Sequence, residues 1–187
     1  MTTPFPGFAD PVLDGQACFR AVLNAMSRPG RVQQVIPPCE LPPGLSPAAA
    51  AVLLTLVDAD TPLRLNAGPD AEAWVRFHCG CPLVSDGAAF VLDAAAELLT
   101  LACGTEEEPQ NGTTLILEAS ELQESTGWRL TGPGIRDCHA LRVTGVPPGF
   151  VAAWARNRAR FPCGVDVILT AGDRLAALPR TVRIEEG

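Results

Sequence analysis

With 187 residues, 47% of them hydrophobic and 19% charged, the chain is long enough for one domain with a full core and too apolar to be disordered. Its net charge of −7 excludes a general nucleic-acid binder, whose affinity rests on a basic field. All 14 basic residues are arginine, which rules out a Schiff-base lysine, a P-loop lysine or a lysine general base.

No basic stretch followed by an apolar run opens the chain, and no apolar run reaches the ~18 residues of a membrane span. A soluble cytoplasmic protein is therefore expected, its seven cysteines reduced and mostly buried as small apolar residues.

Asp10-Pro11 reads as an N-cap followed by proline at the first helical position. Val12, Phe19, Val22, Leu23 and Met26 then recur at helical spacing and predict a core face. Arg28-Pro29-Gly30 ends that helix, residues 31–36 read as a strand, and residues 37–47, rich in proline, read as a surface loop. Ser46-Pro47 repeats the cap signal and opens a nearly all-apolar helix over 48–57, expected to be well buried. Short strands are predicted at 63–66 and 88–92, with helices at 70–79 and 94–102, the latter stopped by Gly104.

Glu106-Glu107-Glu108-Pro109 reads as a solvated loop and residues 113–119 as a strong strand. Strands at 127–131 and 140–144 flank Gly132-Pro133-Gly134-Ile135-Arg136-Asp137, whose glycines suit an antiparallel hairpin or bulged turn. A helix over 150–160 carries Arg156, Arg158 and Arg160 on one side. Phe161-Pro162-Cys163-Gly164 stops it, and Val165-Asp166-Val167-Ile168-Leu169 follows as the strand most expected to be covered on both faces. A helical turn from Leu175 and a closing strand ending at Ile184 complete an α/β pattern with a mixed sheet.

Candidate chemistry is sparse. His78-Cys79-Gly80-Cys81 puts three potential ligands within four residues, and Cys103 or Cys138-His139 would have to complete a zinc site, at spacings unlike a standard finger. Cys138 and His139, adjacent on a strand, point to opposite faces and cannot serve each other as nucleophile and base; a partner elsewhere for either stays open. No Gly-x-Ser-x-Gly elbow occurs. Gly132-Pro133-Gly134 lacks the third glycine and the following helix of a phosphate-cradling loop. Arginines offer the better anion signal: Arg20, Arg28 and Arg31 gather at the end of the first helix, with Arg156, Arg158 and Arg160 on the last one and Arg180 and Arg183 near the terminus. Three classes remain open on the residues alone: a non-autonomous subunit, a thiol enzyme built on Cys138 or Cys79, and a nucleotide-binding module using Arg28/Arg31 or Arg156/Arg160.

Three blocks carry a resemblance. Gly7-Phe8-Ala9-Asp10-Pro11-Val12 with Gln16, Phe19-Arg20, Ala25-Met26 and Arg28-Pro29-Gly30 resembles the opening of the H subunit of the bacterial carbon–phosphorus lyase system, the PhnH family. Thr131-Gly132-Pro133-Gly134-Ile135 fits its middle, and Asn157, Phe161-Pro162, Gly164-Val165-Asp166, Leu169-Thr170 and Leu178-Pro179-Arg180-Thr181 resemble its closing block. The resemblance implies one α/β domain over residues 1–187, a three-layer αβα sandwich around a mixed sheet, similar to the pyridoxal-phosphate-dependent transferase fold without that cofactor. It also implies a role in phosphonate use: alkylphosphonate is coupled to ATP with release of adenine, giving a ribose 1-phosphonate 5-triphosphate. That work is done in a complex with the G, I and J subunits, and the isolated chain is expected to be a homodimer. The resemblance assigns no catalytic residue, metal or cofactor here. The motif positions Asp10, Pro11, Arg20, Arg28, Pro29, Gly30, Gly132, Gly134, Asn157, Asp166 and Arg180 are expected to serve the fold, a subunit contact or partner docking.

Overall fold

The computed structural model describes residues 5–187. Its first element is helix α1 (Pro11–Ser27), where the Asp10 carboxylate accepts from the N–H groups of Val12 and Leu13 at 3.0 and 2.9 Å, as the cap signal predicts. Strand β1 (Gln33–Gln34) is shorter than the expected strand at 31–36. Helix α2 (Pro47–Leu56) starts on the Ser46 cap and buries Ala48 through Leu53 without exception. Strand β2 (Leu63–Leu65), helix α3 (Pro69–Cys79) and strand β3 (Phe90–Leu92) follow, α3 ending on Gly80 in the left-handed conformation.

The helix expected over 94–102 does not form; only a 3₁₀ turn, Leu98–Thr100, appears. Asp93 explains the loss. Its carboxylate accepts from Ala95 N–H and from Asn66 Nδ2, both at 3.0 Å, and its carbonyl takes Ala96 N–H, so the alanines are spent on a turn. Leu98 and Leu101 are then buried as anchors of the connection.

Strand β4 (Thr114–Glu118) precedes the long strand β5 (Glu121–Thr131), which begins six residues before the expected 127–131 segment, and strand β6 (His139–Thr144). The antiparallel hairpin is as expected, with a bulge between Gln123 and Trp128. After helix α4 (Phe150–Arg158) come strand β7 (Asp166–Ala171), strand β8 (Arg174–Leu178) and strand β9 (Arg183–Glu185). Residues 175–178 are thus strand rather than helical turn. Gly172, at φ 58°, reverses the chain so that Leu175 and Ala177 pair with Thr170 and Ile168, and that pairing overrides alanine's helix propensity.

The main sheet is mixed, in the order β1-β8-β7-β4-β3-β2, with β2, β3, β4 and β7 mutually parallel. Alternation along the strands splits the core between its faces. Ile116, Ile168, Leu175 and Ala177 pack with α1, α2 and α3, while Leu115, Leu117, Val167, Leu169, Ala176 and Leu178 face the other way. On that second side α4 shares the layer with a three-stranded antiparallel sheet, β6-β5-β9. No helix of the described residues is long and apolar enough to cross a membrane.

Candidate functional site

Two of the motif blocks meet. Arg28 caps α1 through its N–H to Asn24 O at 2.9 Å, and the chain turns at Pro29-Gly30 with Gly30 at φ 86°. A Cβ on Gly30 would stand 2.6 Å from Leu130 Cδ1 and 2.7 Å from His139 Cδ2, and one on Gly134 (φ 82°) would fall inside the Ser27 carbonyl oxygen. Only glycine lets the end of α1 and the β5–β6 connection interlock this closely. Between them lies a cleft of about 260 Å³ lined by Arg28, Pro29, Arg31 and residues 134–139.

Glu124, on β5, organises one wall. Its Oε2 takes Arg31 Nη1 at 2.8 Å, its Oε1 takes Val32 N–H at 3.0 Å, and His139 Nε2 lies 3.3 Å from Oε2. That last approach is off the line of a hydrogen bond, so the buried His139 nitrogen has no hydrogen-bond partner among the described residues. Arg28 makes no ion pair among them, and the Arg136 pair with Asp137 is fully in solvent. The cleft therefore presents one free guanidinium, a donor suited to an oxyanion, while the His139 nitrogen is buried against Glu124. Nothing in the sequence pointed to Glu124, which lies 93 residues from Arg31 with no local motif.

The closing block does a different job. Arg180 straddles Asp166, with Nε on Oδ1 at 3.1 Å, Nη2 on Oδ2 at 2.6 Å and the backbone N–H on Oδ1 at 2.7 Å, while Nη1 donates to Pro109 O at 2.7 Å. Asn157, fully buried, clasps Val165 twice, donating to its carbonyl at 2.8 Å and accepting its N–H at 2.9 Å. A Cβ on Gly112 would stand 3.1 Å from Arg180 Nη1, so the loop closes tightly over the pair. The hydrogen bonds of these side chains run within the chain, at the amino end of β7, whereas open α/β sheets bind ligands at the carboxyl ends of their strands. The contacts made at Asn157, Asp166 and Arg180 tie β7 to α4 and to the segment after β8. Asp10 and Pro11 start α1, Gly132 (φ 136°) shapes the hairpin beside Thr181, and Arg20 lies exposed on α1 beside a groove with α2.

The last-helix arginines do not form one patch: Arg158 Nε donates to Thr181 O at 3.3 Å and Arg160 Nη2 to Leu99 O at 3.3 Å, while Arg156 lines a separate groove. The His78–Cys81 cluster also disperses. His78 Nε2 sits 2.8 Å from Phe5 O, and Cys79 Sγ donates to Leu53 O at 3.7 Å. Burial, then the neighbouring Cys81 and Asp58, push the Cys79 thiol up to about 12, and burial also raises Cys81. Neither is a ready thiolate. No group of three His, Cys, Asp or Glu side chains that could hold a metal occurs among the described residues. Cys138 is exposed, and no hydrogen bond joins it to His139 among the described residues.

The family described as "Bacterial phosphonate metabolism protein (PhnH)" matches residues 6–185. The alpha-D-ribose 1-methylphosphonate 5-triphosphate synthase subunit PhnH of Rhizobium meliloti (strain 1021) is 36% identical over 187 residues, covering 95% of this chain and 94% of its own length. A Stutzerimonas stutzeri protein provisionally named C–P lyase subunit protein HtxG is 37% identical over 176 residues, 90% of this chain and 85% of its own. The glycine-locked junction of Arg28-Pro29-Gly30 with Gly132-Pro133-Gly134 and the Asn157–Asp166–Arg180 clasp thus lie within a match running almost end to end, and the chain belongs to the PhnH family of bacterial phosphonate metabolism proteins.

Proposed function

We propose that this chain is a subunit of the carbon–phosphorus lyase system, required for synthesis of alpha-D-ribose 1-methylphosphonate 5-triphosphate from ATP and an alkylphosphonate with release of adenine. The observation that carries the reading is the near-complete alignment to a relative named as that synthase's subunit. In this reading the chain is cytoplasmic, a single pyridoxal-phosphate-transferase-like domain that works without the cofactor. It acts with the G, I and J subunits in a multisubunit transferase and pairs with itself when isolated. Its own residues support dependence on partners: the chain has no lysine, burial raises its Cys79 and Cys81 thiols, and no hydrogen bond joins Cys138 to His139 among the described residues.

Purified chain incubated alone with ATP and methylphosphonate should release no adenine, and adenine should appear when the G, I and J subunits are co-expressed with it. Release by the isolated chain at the rate of the full set would overturn the dependence. A second reading, in which the Arg28–His139 cleft holds the triphosphate of a nucleotide, is favoured by the free Arg28 guanidinium on its wall. Calorimetry with ATP in low salt tests it, and absence of heat removes it.

A further inference from the structure

The α4 side of the main sheet is one helix short. Neighbouring parallel strands are usually joined by a helix, yet β3 and β4 are joined by a thin strap. Asp93 spends Ala95 and Ala96 on a turn, and only Leu98–Thr100 coils. Leu98 and Leu101 pin the strap to the sheet, while Ala94 and Ala95 stay exposed. Between the strap and α4 a hollow of about 490 Å³ stays open over Leu115 and Leu117 of β4. That volume falls in the range of small-molecule sites, about 300–1,000 Å³.

The hollow lies at the end of the sheet where α/β proteins bind ligands, the carboxyl ends of parallel strands. Ala94 to Ala96 follow the end of β3 directly. Ser120, just past the end of β4, donates its N–H to Thr144 O at 2.8 Å, so β6 finishes there and α4 starts nearby. From that end α4 runs back to Asn157, which clasps Val165 at the amino end of β7. One strip of α4, with Trp154 and Asn157, is buried. Another, with Gly149, Ala152, Ala153 and Arg156, lines the hollow.

Two charges interrupt this apolar lining. Glu97 stands on the strap and Arg156 on α4, both exposed. Neither makes an ion pair or a side-chain hydrogen bond among the described residues, so unlike charges flank the hollow without neutralising each other. We propose that the hollow binds a small zwitterion with an apolar body. The body rests over Leu115 and Leu117 between walls of alanine, an oxyanion meets Arg156, and an ammonium meets Glu97. Apolar α-amino acids and their aminophosphonate counterparts share that chemistry, and a guanidinium takes either oxyanion. The apolar lining supplies the affinity, and the two charges fix the orientation. An apolar acid or amine alone leaves one of the charges unmatched.

Amide chemical-shift titration of the full chain tests the proposal with L-phenylalanine, its phosphonate analogue, phenylacetate and phenethylamine. L-phenylalanine should shift the amides of residues 94–99 and 149–156 saturably, with a dissociation constant of about 1 mM, as suits a ligand of its size. Phenylacetate and phenethylamine, each lacking one charge, should bind about threefold to fivefold more weakly. Arg156→Gln should bring L-phenylalanine down to the level of phenethylamine without changing phenethylamine, and Glu97→Gln should bring it down to phenylacetate. Ala152→Trp, at an exposed helical position, should fill the hollow and abolish the shifts while circular dichroism stays unchanged. Tighter binding of the amino acid or of its phosphonate analogue supports the proposal either way and names the source. No saturable shift by about 10 mM overturns it, as does equal affinity for the phenyl compounds with one charge and with two. Shifts centred on the Arg28–His139 cleft, or binding that survives Ala152→Trp, also overturn it.

Discussion

The two sides of the main sheet are held by different physics. On the α1–α2–α3 side small residues close-pack the layer, with a polar anchor where Trp74 Nε1 donates to Phe5 O at 2.9 Å and His78 Nε2 meets the same carbonyl: Ala48, Ala49, Ala50 and Ala51 are all fully buried, so α2 lies tight between its neighbours and the sheet. On the α4 side the same kind of apolar core is wired by polar clasps. Trp154 Nε1 donates to Val182 O at 2.8 Å, Asn157 grips Val165, Arg180 grips Asp166, and Thr113 Oγ1 donates to Ala88 O at 2.8 Å. The contrast extends outward. The α4 side stacks Trp128 on Phe150 at 5.4 Å over the buried Trp154, whereas the alanine side buries Trp74 but leaves Phe19, Leu23 and Phe77 in solvent. Small residues inside a helical layer let its helices lie close, and the large ones are left on its outer surface.

The wired side should be the more sensitive to loss of one polar partner. Arg180→Ala leaves the largely buried Asp166 carboxylate without its guanidinium and strips Pro109 O of a donor; the expected cost is about 3–5 kcal/mol, read from urea unfolding followed by tryptophan fluorescence. A loss below about 1 kcal/mol would make the pair no better than a surface ion pair and erase the contrast.

The alanine side should instead be sensitive to added volume. Ala50→Leu removes no hydrogen bond, yet it has nowhere to put three more carbons between α2 and its neighbours, and should cost about 1–3 kcal/mol in the same unfolding assay. A neutral result would mean that this layer has slack, and the close packing would no longer explain why its large residues face out.

Much of this frame was legible in the sequence, because its signals are local. Asp10-Pro11 and Ser46-Pro47 mark two helix starts, and the Val167-Ile168-Leu169 run marks a doubly covered strand. Local signals failed where a distant partner outvoted them. Residues 175–178 look helical until β7 pairs with them, and residues 94–96 look helical until Asp93 turns them aside. The candidate cleft was half legible. Gly30 and Gly134 announced turns, but that each turn needs glycine because of the other could not be read from either, and Glu124 became visible only once β5 placed it between Arg31 and His139.

A smaller test concerns how the outward helix is anchored. Asp10→Ala frees the N–H groups of Val12 and Leu13 and should cost about 1 kcal/mol in the urea assay. An unchanged urea midpoint would mean that packing of the helix rather than its cap holds the start of α1.

The mildest effect at neutral pH becomes the most readable in alkali. The chain has no lysine and no tyrosine, so its cysteines are the only side chains ordinarily titrating between neutrality and the arginine range. An unfolded thiol releases its proton near 9.0, whereas the folded Cys79, desolvated against α2, keeps its proton to about 12. Between those values the unfolded chain binds fewer protons than the folded one, so stability falls as pH rises through that window and is fully present below it. Cys18 and Cys81, also raised by burial, act in the same direction. Urea midpoints should therefore be flat up to pH 9.0 and decline above it, less steeply in Cys79→Ala, while thiolate absorbance of the folded protein should lag that of the unfolded chain. Were the Cys79 thiolate to form near neutral pH in the folded state, the decline would vanish and rapid single-site alkylation would appear at α3. The helical side would then hold a reactive centre where its packing leaves room only for a buried thiol.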